Sequence, residues 1–282
     1  MTDGLVVVDK PAGWTSHDVV ARCRKIFGQK RVGHSGTLDP DATGVLLVGL
    51  GRVTRLLRFL TALPKSYEGE VVLGMTTTTL DAGGEAVERF DMAGVTLDDV
   101  RAAATAFVGD IEQVPPMVSA VKIDGKRLHE LARKGEEVDR TPRPVSISRL
   151  DVEATGDPSV FAIAVECSSG TYIRTLAADL GTALGGGAHL RNLRRTAIGS
   201  FSLADATELE QVSADDVVAP ADALRDYPAA EVDNDELIAV GHGRKIAPRS
   251  TRPWRVLDSN GELVAVYDGD RPAVVLKPAN ET

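Results

Sequence analysis

The densest run of chemistry-bearing residues is Arg31-Val32-Gly33-His34-Ser35-Gly36-Thr37-Leu38-Asp39-Pro40-Asp41-Ala42-Thr43-Gly44. Its glycines allow close backbone approach or positive φ, and the carboxylate of Asp39 precedes a proline whose φ is fixed. A carboxylate held in such a loop can add covalently to a substrate carbon, accept a proton, or cap the amides of its own turn. Nothing in the loop is suited to a soft metal, and the rest of the chain agrees. Cys23 and Cys167 lie far apart with no CxxC spacing, and the five histidines form no HExxH pattern. A disulfide framework and a cysteine zinc site are therefore excluded, and no metal is expected.

The elements that must position this loop can be read from periodicity. A buried strand at Leu5–Val8 stops at Asp9-Lys10-Pro11. Thr15-x-x-Asp18 has capping-box form, and Val19, Val20, Cys23, Ile26 and Phe27 then recur at helical spacing up to Gly28. Residues 29–44 read as a loop, 45–50 as a buried strand, 52–60 as a short helix ended by Pro64, and Tyr67–Leu73 as a strand. Thr96 to Asp99 opens a second capped helix running to Phe107. Residues 110–145, bracketed by prolines and carrying a short helix at Arg127–Arg133, read as an excursion from the core, and long loops in compact domains are often functional. Strands follow at 146–153 and 160–167, then a helix at 172–184 that stops at Gly185-Gly186-Gly187.

Tyr227-Pro228-Ala229-Ala230 reads as a linker to a small, mostly β module with a helix at Asp233–Val240 and strands near 254–257, 262–267 and 273–276. Hairpin-like and helix-bridged strands alternate, which predicts an α+β fold with a mixed, largely antiparallel sheet flanked by helices. The expected domains are 1–228 and 229–282.

At 282 residues, with 43% apolar and 26% charged residues, the chain is long enough to bury a substantial core and is unlike a disordered sequence. The amino-terminal run lacks a basic leader, and the longest apolar run, at 44–50, is too short to span a bilayer. A cytoplasmic protein with no membrane partner is expected. The net charge of −9 argues against a nucleic-acid partner only if it is evenly spread, and it is not. Residues 201–236 hold eleven acids and one base, Arg225, so that segment carries −10 and the remainder +1. Basic residues gather instead at Arg22, Arg24, Lys25, Lys30 and Arg31, at Lys126, Arg127, Arg133 and Lys134, and at Arg191, Arg194 and Arg195.

The loop string, taken whole, resembles the signature of the TruB family of tRNA pseudouridine synthases, Gly-His-x-Gly-Thr-Leu-Asp-Pro-x-Ala-Thr-Gly. Further segments resemble that family in order and spacing: Asp9-Lys10-Pro11-Ala12-Gly13-Trp14-Thr15-Ser16, Lys65-Ser66-Tyr67, Pro115-Pro116-Met117-Val118-Ser119-Ala120-Val121-Lys122, and Cys167-Ser168-Ser169-Gly170-Thr171-Tyr172-Ile173-Arg174 followed by Asp179-Leu180-Gly181. The resemblance covers about residues 4–203.

It implies a pseudouridine-synthase catalytic domain whose 110–145 insertion grips RNA. It also implies isomerisation of the uridine at position 55 in the T arm of tRNA, with no cofactor; a monomer is expected, although the sequence does not fix the oligomeric state. Asp39 aligns with the family's catalytic carboxylate, Arg174 with the arginine that pairs with it, and Tyr67 with the tyrosine that stacks on the uracil. Asp39 either adds covalently or accepts a ribose proton, and the sequence leaves both routes open. His34 matches the histidine that holds the target base flipped out, a step the chemistry requires because a stacked base hides C1′ and both base edges. Tyr172 lies near the base pocket. Lys10, Lys65, Arg31, Lys122 and Arg194 are expected substrate or RNA contacts, and the C-terminal module takes the place of the family's PUA domain.

Two rival readings stand beside this one. Asp39-x-Asp41-x-Thr43 matches the Asp-x-Asp-x-Thr of haloacid-dehalogenase-like phosphatases, in which the first Asp attacks phosphate beside Mg²⁺. That motif needs a continuous hydrophobic strand before it, which residues 33–37 do not supply. A non-catalytic RNA-binding or tRNA-folding protein would have no use for the Asp39, Arg174 and Tyr67 set.

Overall fold

A computed structural model describes residues 1–117, 122–123, 126–127 and 138–277. The chain divides into two units, one of Met1–Pro40, Gly44–Leu63 and Ile198–Thr282, the other of Asp41–Thr43 and Pro64–Ala197.

In the first unit the strand Gly4–Lys10 pairs antiparallel with Thr43–Leu50 and parallel with the short Thr207–Glu208, so its sheet is mixed. Both long strands are apolar at nearly every position because both faces are covered. One face packs on the helix Ser16–Ile26 through Val19, Val20 and Cys23. The other packs on Phe59, Leu60 and Leu63, with Phe201, Ala223 and Leu224. Thr15 and Asp18 form the expected reciprocal cap of the helix. The region 29–44, expected to be all loop, contains the strand Val32–Ser35, which lies antiparallel to Thr43–Leu50 with Ser35 opposite Leu47. Its glycine, histidine and serine hide the strand from a periodicity reading, and partner hydrogen bonds supply what propensity does not. Asp39 thus sits in the connection of a β-hairpin. The expected helix at 52–60 is a 3₁₀ turn, Gly51–Arg55, followed by an α-helix, Leu57–Ala62.

The C-terminal residues of this unit form a four-stranded sheet in the order Ala229–Glu231, Trp254–Leu257, Leu263–Asp268, Arg271–Val275, with the helix Asn234–Gly241. The expected linker at 227–230 is in part a strand and is pinned in place. Arg255 donates to the carbonyls of Tyr227 and Ala221, and the Tyr227 hydroxyl donates to Phe59 O at 2.8 Å. Leu263, Val266, Val274 and Leu276 join the same apolar cluster as Phe59 and Leu60. Arg52, Arg55 and Arg58, spaced three apart, donate to the carbonyls of Leu276, Val275 and Ala273 and so cover the edge strand of the module. Several acids of 201–226 serve locally: Asp205 and Asp216 cap the turns at Ser202 and Ser213, and Asp226 accepts from Ser200 N.

In the second unit the strand order is Ala188–Ile198, Lys65–Leu73, Val160–Cys167, Arg143–Ala154, Gly109–Gln113. The helices Leu97–Thr105 and Ile173–Ala183 lie close to the predicted spans, as do the strands at 143–154 and 160–167. Ala188–Ile198 was not foreseen as a strand. Charged residues crowd it, and Asn192 at φ +54° interrupts its alternation. A second hairpin, Met75–Thr77 with Ala86–Arg89, was also unforeseen. Of the predicted helix Arg127–Arg133, Arg127 lies in a two-residue strand paired with Lys122–Ile123, and residues 128–133 lie outside the described residues. No helix among the described residues is long and apolar enough to cross a membrane.

Candidate active site

The hairpin connection that carries Asp39 is tied on both sides to the segment just after the first strand. Ser16 Oγ donates to Leu38 O at 3.2 Å and accepts from Leu38 N at 2.9 Å, fixing the residue before Asp39. Gly13 N and Lys10 Nζ donate to the carbonyl of Pro40, the residue after it, at 3.0 and 2.9 Å. Gly13 has φ +80° and Gly36 φ +77°, so both ends of this clamp use a conformation that L side chains resist.

Lys10 is 0% exposed, and its Nζ also donates to Pro11 O at 3.0 Å and Trp14 O at 2.7 Å. An ammonium only donates, and each of these three carbonyls accepts from it. Lys10, expected from the sequence to contact substrate or RNA, is placed under the Asp39 loop. His34 is half-buried on the Val32–Ser35 strand, its ring 5.3 Å from that of His17 in an edge-to-face arrangement. Arg31 is exposed and donates from Nε to Thr54 Oγ1 at 3.0 Å.

The second unit gathers Lys65, Tyr67 and Arg195. Lys65 and Tyr67 alternate along Lys65–Leu73 and leave its buried face, opposite Cys167 and Val165 of the next strand. Arg195, on the strand at the other side, is 1% exposed, and the Tyr67 phenol favours its charged form. Burial pushes the Lys65 ammonium down to about 8, and the nearby Arg195 charge adds to that. Burial likewise holds Arg195 below the ordinary arginine value, with the Tyr67 phenol acting the other way, and raises the Cys167 thiol to about 11. Lys65, expected from the sequence to contact substrate or RNA, is buried on this strand face.

Arg174 sits in the first turn of the helix Ile173–Ala183, whose N-cap residue Tyr172 offers no side-chain cap. Gln113 takes over: its Oε1 accepts from Tyr172 N at 2.9 Å and its Nε2 donates to Tyr172 O at 3.3 Å. Arg174 is buried, donates to Thr79 O at 2.9 Å and pairs with Asp81 at 3.4 Å. The 77–84 turn is built around Asp81, which accepts from Thr79 Oγ1 and Gly83 N, while Thr77 Oγ1 donates to the Asp81 carbonyl. Leu80 holds φ +62° inside this turn, a strained choice for a leucine. Arg194 is partly buried and donates to Thr43 Oγ1 at 3.2 Å. Lys122 is in the short strand Lys122–Ile123, but its side chain lies outside the described residues, as do Arg133 and Lys134.

Sequence reasoning missed Asp81, Gln113, Ser16 and the buried place of Arg195. The first could have been suspected from Asp81-Ala82-Gly83-Gly84, an Asx-turn string. Gln113 and Arg195 carry no local signal, because their partners lie far along the chain.

The TruB family pseudouridylate synthase N-terminal domain matches residues 24–173, and the tRNA pseudouridylate synthase B C-terminal domain matches residues 174–227. The chain is 46% identical over 288 residues to tRNA pseudouridine synthase B of Rhodococcus jostii (strain RHA1), covering 98% of this chain and 94% of that protein. It is 45% identical over 286 residues to the protein of the same name from Corynebacterium aurimucosum, covering 96% and 95%. Among solved structures, a Cbf5-Nop10-Gar1 complex matches with a TM-score of 0.76 at 26% identity, covering 98% of this chain and 86% of the matched one. The chain therefore belongs to the TruB family of pseudouridylate synthases and is an isomerase by that membership.

Proposed function

We propose that this protein isomerises uridine to pseudouridine at position 55 in the T loop of tRNA, acting as a monomer in the cytoplasm, with Asp39 as the catalytic carboxylate. The observation that carries the reading is the Asp39 hairpin connection, clamped at Leu38 and Pro40 by Ser16, Gly13 and Lys10, in a chain 43–46% identical to proteins named tRNA pseudouridine synthase B.

The reaction breaks the N1–C1′ bond, turns the base and forms C5–C1′, with loss of the C5 proton and gain of a proton at N1. It is redox-neutral and leaves atom composition unchanged, so the reading calls for no cofactor. Asp39 supplies either the carboxylate that adds covalently or the base that takes a ribose proton. Arg174, fixed by Thr79 and Asp81, is the cation that holds the catalytic carboxylate ionised. Tyr67 stacks on the flipped uracil and takes the C5 proton, the C–H electron pair restoring the C5–C6 double bond. Tyr172 and Lys65 line the base pocket. His34 holds the base out of its stack, while Arg31, Lys122 and Arg194 meet the RNA. Residues 229–282 serve as a PUA-like RNA-binding module beside a catalytic domain of 1–228.

The test is incubation of the purified protein with an unmodified tRNA transcript and with a T stem-loop, each carrying U or C at position 55, followed by pseudouridine mapping. Product at position 55 of both U-bearing RNAs is expected. Product elsewhere, or none, overturns the reading.

A further inference from the structure

Arg52, Arg55 and Arg58 all reach the edge strand Arg271–Val275 or the residue after it, but their charges are met differently. Arg52 also pairs with Asp3 through Nε at 2.6 Å. Arg55 and Arg58 are exposed, and among the described residues neither has a carboxylate partner. Each donates to one carbonyl at 2.7 Å, Arg55 Nη1 to Val275 O and Arg58 Nη2 to Ala273 O. A guanidinium carries five N–H donors, so most of each fork stays open to solvent. One hydrogen bond apiece is enough to cover a sheet edge, and it leaves both charges uncompensated. The nearby acids are engaged elsewhere: Asp3 by Arg52, and Asp258 and Glu262 by Lys277.

The carbonyls also fix where these charges stand. Ala273 and Val275 are two residues apart on one strand, so their outward carbonyls, and the guanidinium groups bound to them, are about 7 Å apart. That is the order of separation of successive phosphates along one nucleic-acid strand. A guanidinium already held by one bond loses less freedom on meeting a ligand, and its planar fork matches two phosphate oxygens. The same helical segment relates the pair to the Asp39 hairpin. Residues 51–62 lie along the strand Val32–Ser35: Arg31 Nε donates to Thr54 Oγ1 at 3.0 Å at one end, and Ser35 Oγ lies 3.0 Å from Thr61 Oγ1 at the other. Ser35 is where the chain leaves that strand for the Asp39 connection. Arg55 and Arg58 therefore stand between the Asp39 hairpin and the C-terminal strands.

We propose that Arg55 and Arg58 form a phosphate track, binding the sugar–phosphate backbone of the substrate RNA where it runs from the flipped uridine toward the C-terminal strands. This rests on the reading of the protein as a tRNA-modifying enzyme, and it adds an RNA contact that lies outside every motif string. Such contacts supply charge-driven, sequence-independent affinity, whose signature is its dependence on salt.

The experiment measures filter binding of the full-length protein to an unmodified tRNA transcript from about 50 to 200 mM salt. Arg55→Gln combined with Arg58→Gln is expected to bind about tenfold more weakly at the low-salt end, with a log–log salt slope shallower by about 1 to 2. Arg101→Gln combined with Arg149→Gln removes the same net charge from exposed positions of the second unit and should keep the wild-type slope. Val266→Ala loosens the C-terminal strands through their apolar contacts without touching a charge, and should keep that slope too. Each single variant gives up one exposed hydrogen bond, so it carries the test at about half the effect if the double variant does not fold. A wild-type slope in the Arg55 and Arg58 variant overturns the proposal even where affinity falls, because the arginines would then act only by holding the strands. An equal flattening in the Arg101 and Arg149 variant overturns it as well. Absence of pseudouridine at position 55 with wild-type protein would instead overturn the function proposed above, and the track is judged on the salt slope alone.

Discussion

Lys10 Nζ lies 2.9 Å from the carbonyl oxygen of Pro40, so the residue that follows Asp39 is held from beneath by the last residue of the first strand. The same ammonium holds Pro11 and Trp14, and one side chain thereby fixes the relation between two loops. Lys10→Met keeps the apolar stem and removes all three donors. It is expected to lower stability by about 2 kcal/mol in urea unfolding, because three partly buried carbonyls lose a charged partner. The single-turnover rate should fall about tenfold as the Asp39 loop loosens. A variant with wild-type stability and rate would show that the clamp is dispensable.

Asp81 is the charged partner through which the 77–84 turn holds Arg174. Asp81→Asn keeps the shape and one acceptor but removes the charge. The rate of pseudouridine formation should drop about tenfold or more while tRNA affinity changes by less than about threefold. Filter binding beside single-turnover kinetics separates the two, and equal losses in both would point to a general disturbance of the turn.

Lys65 gives the fold a pH dependence of known sign. Its ammonium titrates at about 8 in the folded protein because burial, helped by Arg195, disfavours the charge. Between that pH and the unfolded value near 10.4 the unfolded chain binds more protons, so stability rises with pH across the window, by up to about 3 kcal/mol from this group. Denaturant unfolding at several pH values should show that rise in the wild type and lose it in Lys65→Met. A parallel pH slope in both proteins would contradict the assignment.

Val266 is fully buried where the C-terminal strands meet Phe59 and Leu60. Val266→Ala should cost about 2–3 kcal/mol, whereas Arg58→Ala, which removes one exposed hydrogen bond to Ala273 O, should cost under about 1 kcal/mol. Thermal unfolding of the two variants orders them, and a larger effect for Arg58→Ala would mean that the arginines rather than the apolar cluster hold the module.

The sequence was most legible where the signal is local. The Thr15/Asp18 and Thr96/Asp99 capping boxes, the all-apolar strand of 45–50 and the strand at 160–167 are each specified by residues within a few positions. The strands Val32–Ser35 and Ala188–Ile198 were not legible, since their polar residues are stabilised by partners distant in the chain. The same limit governed the site. Asp39, Tyr67 and Arg174 stood out through motif strings, but the groups that hold them did not. Asp81 meets Arg174 from 93 positions away in sequence, and Gln113 clasps Tyr172 from 59. Lys10 reads in the sequence only as a substrate or RNA contact, and only the fold brings the Pro40 carbonyl over it.

The central claim is that Asp39 is the carboxylate on which isomerisation depends. It is tested by mapping pseudouridine in tRNA transcripts incubated with wild-type protein and with Asp39→Asn, with tRNA binding measured on both. The account predicts no product from the variant and affinity within about threefold of wild type, a difference under about 1 kcal/mol. Full turnover by Asp39→Asn would contradict it.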